Sequence, residues 1–406
     1  MKAEQQYIDL YSQASRLISQ RSCAVMNLQR EAAFHAFQQQ GFPSQKVERY
    51  KYTDVATAFA PNFGLSLTPL QVSPSRYIFS FHDAPIDLTP YYNKIADTAD
   101  SLTALNTALA HDGLLIYVPK GEHPADPIQV DNLLSGTAPT MMNRRVLILL
   151  EAGAQATVIM NDRAGQLASP FLTLQVVEVI CKEGSRIDLY EVEETLPLCT
   201  RFSNVYVQAQ RDSIVGHNSI TLNGGHTRNL CDVHLQGPYA EVTLGGCAIG
   251  TGQQHIDNNT LIRHTAPHGQ SRQLYKYVLD GHSVGAFAGK ILVEKDAQKT
   301  TSQETNANLC ASPQARMYTQ PMLEIYADDV KCNHGSTVGV LDPAALFYML
   351  QRGIPEAEAR SLLKNAFMGQ VIDQIQYRPL RDRLYVKVEK RFRGEHEKCD
   401  DCRLCK

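Results

Sequence analysis

The residues with the clearest claim to chemistry lie in Lys331-Cys332-Asn333-His334-Gly335. Side chains two apart on a strand project to the same face. A strand here would set a thiolate beside an imidazole, a pair suited to zinc or to iron in a cluster. A four-coordinate metal needs two further ligands, and no second Cys or His stands at a neighbouring spacing. Cys310 is 22 residues upstream, short of one structural repeat, so spacing does not place it nearby. Any metal held by Cys332 and His334 must take its remaining ligands from a distant segment or from another chain. The alternative is a buried thiol next to a hydrogen-bonded histidine. A second candidate is the tail Cys399-Asp-Asp-Cys402-Arg-Leu-Cys405, two C-x-x-C steps with His396 three residues ahead. Such spacing can wrap a zinc ion or a cluster, and a solvated, oxidation-prone terminus is the other reading.

Three shorter motifs invite enzyme chemistry and fall short of it. Gly281-His282-Ser283-Val284-Gly285 matches the G-x-S-x-G elbow, which needs Ser283 on a turn from a strand into a helix, with an acid and a His to follow. A strand over 273–279 precedes it, and Asp328, Asp329 and His334 follow in order. Residues 286–293, however, hold another glycine and β-branched residues and read as the next strand. Ser283 is therefore expected in a turn, where glycine supplies backbone freedom. A serine hydrolase using Ser283 stays as the alternative function, beside a β-helical carbohydrate-active enzyme, which would show charged clusters along one groove. Gly285-Ala-Phe-Ala-Gly-Lys290-Ile291 is one residue short of a P-loop and lacks its Ser or Thr, and Gly250-Thr-Gly252 lacks the third glycine of a dinucleotide fingerprint. The chain is not expected to hydrolyse ATP by itself.

Composition narrows the partners. The 406 residues carry 39 Lys and Arg against 42 Asp and Glu, a net charge of −3, with 43% hydrophobic residues and no Trp. That balance removes the clustered positive charge on which nucleic-acid and anionic-membrane binding rely. The opening residues turn polar at once, and the longest aliphatic runs, 114–118 and 146–150, are strand-sized. The expectation is a cytoplasmic chain whose ten cysteines are reduced thiols.

The elements that must position these residues show three textures. Apolar residues at helical spacing (Tyr7, Leu10, Tyr11, Ala14, Leu17, Ile18, then Leu28, Ala32, Ala33, Phe37) predict a helical pair stopped by Gly41 and Pro43. Residues to about 110 are mixed, with a short helix over 101–110, which makes 1–110 an N-terminal helical and mixed region. From 111 to 340, short β-branched runs alternate with Gly, Asn, Asp and Pro. A weak repeat starts at Gly153, Gly184, Asp212, Tyr239 and Asp296, at intervals of 31, 28, 27 and 57 residues. Near-constant intervals, the last close to two units, predict stacked strand-turn rungs, a β-helix rather than a sandwich. Asp342-Pro343 caps a helical region over 341–395, with helices to Arg352 and from Pro355 to about Gln376. Residues 380–392 fit either a helix (Leu380, Leu384, Val388, Phe392) or a strand (Leu384, Val386, Val388). The cysteine-rich tail occupies 396–406.

Residues 271–276 (Ser-Arg-Gln-Leu-Tyr-Lys), Asn306-Ala-Asn-Leu309, the block from Pro321 to Gly339 around Cys332 and His334, and 346–354 together resemble the SufB/SufD family of the SUF iron–sulfur cluster assembly system, and its SufD branch in particular. The clear match covers about 270–375, and a looser one reaches Glu48-Arg-Tyr-Lys-Tyr-Thr-Asp54. The resemblance implies a mainly β fold, a right-handed parallel β-helix flanked by N-terminal and C-terminal helical regions. It also implies a non-enzymatic scaffold subunit of a complex with a SufB-like β-helix subunit and a SufC-like ABC ATPase, the latter docking on the C-terminal helices, here 343–376. A nascent iron–sulfur cluster, or iron, would be held transiently at the interface by His334 and its neighbour Cys332. SufB would supply the remaining thiolate or carboxylate, so no stably bound cofactor is expected in the isolated chain. The isolated chain could pair as a homodimer instead. Cys-Asn-His-Gly favours SufD over SufB. Tyr50 replaces the tryptophan usual in the N-terminal motif, and the Cys399, Cys402 and Cys405 tail is not a general SufD feature.

Overall fold

The computed structural model describes residues 3–395 apart from Pro69 and Gln71. Its body is a parallel β-solenoid. The chain winds alternately through an 8-stranded sheet, from Ile128–Gly136 to Lys331–Gly339, and a 10-stranded sheet that ends at Arg316–Ile325. Strands two apart in sequence pair in parallel and in register, as in Gln270–Leu279 against Thr301–Cys310. Only Ile78–Ser80 joins its neighbour Leu114–Val118 antiparallel among the named strands.

The repeat read from the sequence has a physical cause. Each entry into the 8-stranded sheet passes through one residue in the left-handed region: Gly153, Gly184, Asp212, Tyr239, His268 and Lys299, with φ between 55° and 69°. Glycine accepts that conformation freely, and an L side chain pays about 1 kcal/mol for it. Tyr239 and His268 offset part of this by stacking on each other, their ring centroids 4.7 Å apart. Two starts were misread. The repeat has a copy at His268 with no recognisable letters, and the last copy turns at Lys299, three residues beyond Asp296.

Both outer faces of the solenoid are covered, which is why many strands read as unbroken apolar runs rather than alternating ones. Along Arg186–Glu194, Leu189 points between the sheets, while Tyr190 and Val192 point outward beneath the C-terminal helices. Those helices are α5 (Pro343–Gln351), α6 (Glu356–Ile372) and α7 (Arg378–Phe392), preceded in the chain by α1 (Ala3–Arg21), α2 (Ala24–Gln40), the single-turn α3 (Val55–Ala58) and α4 (Ser101–Leu109). Residues 380–392, ambiguous in sequence, are helical: Leu380, Leu384 and Val388 are buried at a spacing of four, and Val386 faces out. Asp342 caps α5 by accepting from the Ala344 amide, with Pro343 at the first helical position. The N-terminal elements cover the 10-stranded sheet and are pinned by polar contacts: Arg49 to Asp232 at 2.6 Å, Thr53 to Asp257 at 2.5 Å, Tyr50 to Asp100 at 2.5 Å. No described helix is long and apolar enough to cross a membrane.

Candidate functional site

Cys332 and His334 both lie on Lys331–Gly339, the last strand of the 8-stranded sheet. In-register pairing sets Cys332 over Ser302 and His334 over Glu304, about 4.8 Å away across one strand spacing. Ser302 and Glu304 are buried, so this is the column that earlier rungs turn inward. On the last rung nothing described lies above it. His334 is exposed, while Cys332 is half-buried against an apolar cluster that includes Ile291 and Ala327. Burial raises the Cys332 thiol, so the thiolate form requires a metal or a cation brought to it. Cys310 does not join the pair. It sits eight residues along the neighbouring strand from Ser302, a span of roughly 26 Å. Among the described residues no group of three or more His, Cys, Asp or Glu could hold a metal ion. Cys399, Cys402 and Cys405 lie outside the described residues.

The interior beneath this rung is polar, and the sequence reading did not identify it. Under Cys332 a chain of hydrogen bonds links Ser302 to Ser271 (2.6 Å) and Ser271 to His264 (2.9 Å). Under His334 the Glu304 carboxyl meets Gln273 at 3.4 Å, and its second oxygen has no hydrogen-bond partner. Gly289 makes the room: a β-carbon there would stand 2.3 Å from that oxygen. Burial pushes the Glu304 carboxyl up to about 8. Deeper in the solenoid Asp162 bridges Arg144 (2.9 Å) and Arg201 (2.7 Å), and Glu191 bridges Arg201 (2.8 Å) and His217 (2.9 Å). Burial would raise both carboxyls. The guanidiniums outweigh it and hold Asp162 well below the usual range, while Arg201 and His217 bring Glu191 to about 2. The signal for this column was the alternation within each strand combined with the rung length, and the rung length was readable only approximately.

The end of the solenoid is an open edge. Lys331–Gly339 pairs on one side only, as does Arg316–Ile325 in the other sheet. An unpaired edge offers backbone donors and acceptors to an incoming strand. Tyr326, Val338 and Val340 are exposed nearby in the chain. The helix α5 has no buried residue and leaves Phe347 and Tyr348 about 60% exposed, whereas α6 and α7 bury Met368, Ile372, Leu384 and Val388 on the sheet. Ser283 is fully buried in the turn between Gln270–Leu279 and Val284–Val293. Its hydroxyl has no hydrogen-bond partner, and a strand follows it where a nucleophile elbow requires a helix.

Comparison with known proteins adds an independent line. The core domain of SufBD proteins, described as SUF system FeS cluster assembly, matches residues 132–367, and the SufBD N-terminal region matches 1–82 and 80–130. The iron–sulfur cluster assembly protein SufD of Escherichia coli is 27% identical over 388 residues, covering 87% of this chain and 90% of its own length. A SufBD family iron–sulfur cluster assembly protein of Synechocystis is 29% identical over 307 residues, covering 73% and 67%. SufD of Bacillus subtilis is 26% identical over 295 residues, covering 72% and 67%.

Proposed function

Because the chain belongs to the SufBD family and is a SUF-system iron–sulfur cluster assembly protein, we propose that it serves as a non-catalytic, SufD-like scaffold subunit working with a SufB-like solenoid and a SufC-like ABC ATPase. The observation that carries this reading is the position of Cys332 and His334. They stand side by side on the last rung, on its inward-turned column, at a sheet edge that lacks a neighbour. A second solenoid that adds its own edge here would extend the sheets, cover the column and bring the ligands that this chain lacks. His334 then donates an imidazole nitrogen to iron or to the growing cluster. Cys332, kept as a thiol by its half-burial, is deprotonated only when metal arrives. The cluster is cargo: it is assembled in the closed interface and leaves when the interface opens.

The ATPase has a separate surface. A helix with no buried side chain and two exposed aromatic rings is poorly explained by the fold alone. Docking of the SufC-like subunit on α5 would place ATP-driven movement one short loop away from the strand that carries His334. Without partners the same edge is open to a second copy of the chain. The test is co-expression with SufB-like and SufC-like chains, purification of the assembly under anaerobic conditions, and analysis of iron and sulfide. Co-elution with bound iron and sulfide is the expected result, and failure of the three chains to associate would overturn the reading.

A further inference from the structure

A cavity of about 1250 Å³ lies where the starts of the strands His226–Leu235 and His255–His264 meet the end of α7. His226 and His255 both line it. They are in-register partners on neighbouring rungs, stacked with ring centroids 4.5 Å apart and ring planes within 16° of parallel. The Nε2 atom of each is buried and has no hydrogen-bond partner. A buried imidazole nitrogen left unpaired costs about 1–3 kcal/mol, and two side by side ask for a ligand that satisfies both. The neighbouring charge of Arg228 is already taken up by Asp257 and by the Arg49 carbonyl.

Glu395, the last described residue of the chain, also lines this cavity. The eleven residues 396–406 that follow contain Cys399, Cys402 and Cys405. Four residues of extended chain reach about 13 Å and seven reach about 23 Å, so Cys399 and Cys402 are within range of a cavity that begins at Glu395. Two imidazoles and two thiolates make a closed tetrahedral set of the structural-zinc type, and the two thiolate charges neutralise a divalent ion.

We propose that His226 and His255 hold a divalent metal ion of the zinc class together with one C-x-x-C pair of the C-terminal segment, which thereby closes the cavity. Cys402 belongs to both C-x-x-C pairs and is required in either arrangement. Each ligating thiol gives up its proton to solvent as the metal–sulfur bond forms, with no change of oxidation state. The site is on the 10-stranded sheet and does not depend on the role given to Cys332 and His334 at the end of the other sheet.

The full chain, reduced and handled anaerobically, can be titrated with cobalt(II) as the spectroscopic stand-in. The expected result is one tightly bound equivalent with intense tetrahedral d–d bands and a thiolate-to-cobalt charge-transfer band, displaced by zinc. The Cys402→Ser variant should lose the charge-transfer band. His226→Gln combined with His255→Gln should weaken binding by more than the roughly 100-fold that loss of an outer-shell partner can cost. His255→Cys, which replaces a nitrogen donor by sulfur, should keep tight binding with a stronger charge-transfer band, and this separates ligation from packing. Tight binding retained in the double histidine variant would show that the tail holds metal alone and would overturn the proposal. Loss of the cobalt spectrum in His334→Ala would overturn it too, by moving the metal to the other sheet.

Discussion

Glu304→Gln isolates the electrostatics of the last rungs. The carboxyl is 1% exposed, meets only the Gln273 amide at 3.4 Å, and lies one strand below His334. Burial raises it from 4.5 to about 8. The sign follows from proton counting. Below pH 4.5 the folded and unfolded chains both hold the proton. Between 4.5 and 8 the unfolded chain releases it while the folded chain keeps it, so stability falls as pH rises through that window and levels off above it. A rise from 4.5 to about 8 is worth on the order of 5 kcal/mol across the window. Glutamine keeps the shape and the hydrogen-bonding capacity and cannot ionise. Thermal melts of both proteins from pH 4 to pH 9 should therefore diverge, with the variant gaining on the parent as pH rises and the gap constant above about pH 8. Parallel melting curves across that range would show that water or a counter-charge reaches the carboxyl, and the sealed polar column beneath His334 would be refuted.

Asp162→Asn leaves Arg144 and Arg201 without their shared carboxylate in a place where all three side chains are at most 5% exposed. Stripping the charge from one member of a buried ion network costs about 3–5 kcal/mol; urea unfolding should show this, and an unchanged midpoint would mean that the network is hydrated. Phe347→Asp combined with Tyr348→Asp should abolish co-purification with the SufC-like ATPase while leaving the melting temperature unchanged, since α5 buries nothing. Retained co-purification would move the docking surface elsewhere.

The alternation that sets Cys332 and His334 on one face was readable from two residues and the geometry of a strand. What covers and underlies them was not. Rungs here run from 27 to 32 residues between their left-handed turns. Two of the turns, at His268 and Lys299, use residues with no glycine-like signature, because stacking with Tyr239 helps to offset the cost at His268. An error of a residue or two in rung length moves a side chain to the opposite face, and Glu304, Ser302 and the stacked pair His226 and His255 were missed for that reason. The helix over 378–392 was ambiguous because Leu384 and Val388 fit both periods. Only burial of Leu380 and exposure of Val386 decide it. The region from 43 to 100 gave no periodic signal because it holds the 10-stranded sheet through single polar anchors such as Arg49, Tyr50 and Thr53 rather than through a continuous apolar stripe. Ser283 followed the sequence argument closely: its strand, its turn and the missing helix are all present.

The central claim is that the last rung is a half-built metal locus completed by a partner. The direct measurement is iron and sulfide content, per complex, of the anaerobically purified three-chain assembly carrying His334→Ala. An exposed side chain at an open edge contributes little to folding, so the variant complex is predicted to elute at the parental size with iron and sulfide reduced to background. Parental iron and sulfide in an intact variant complex would contradict the account.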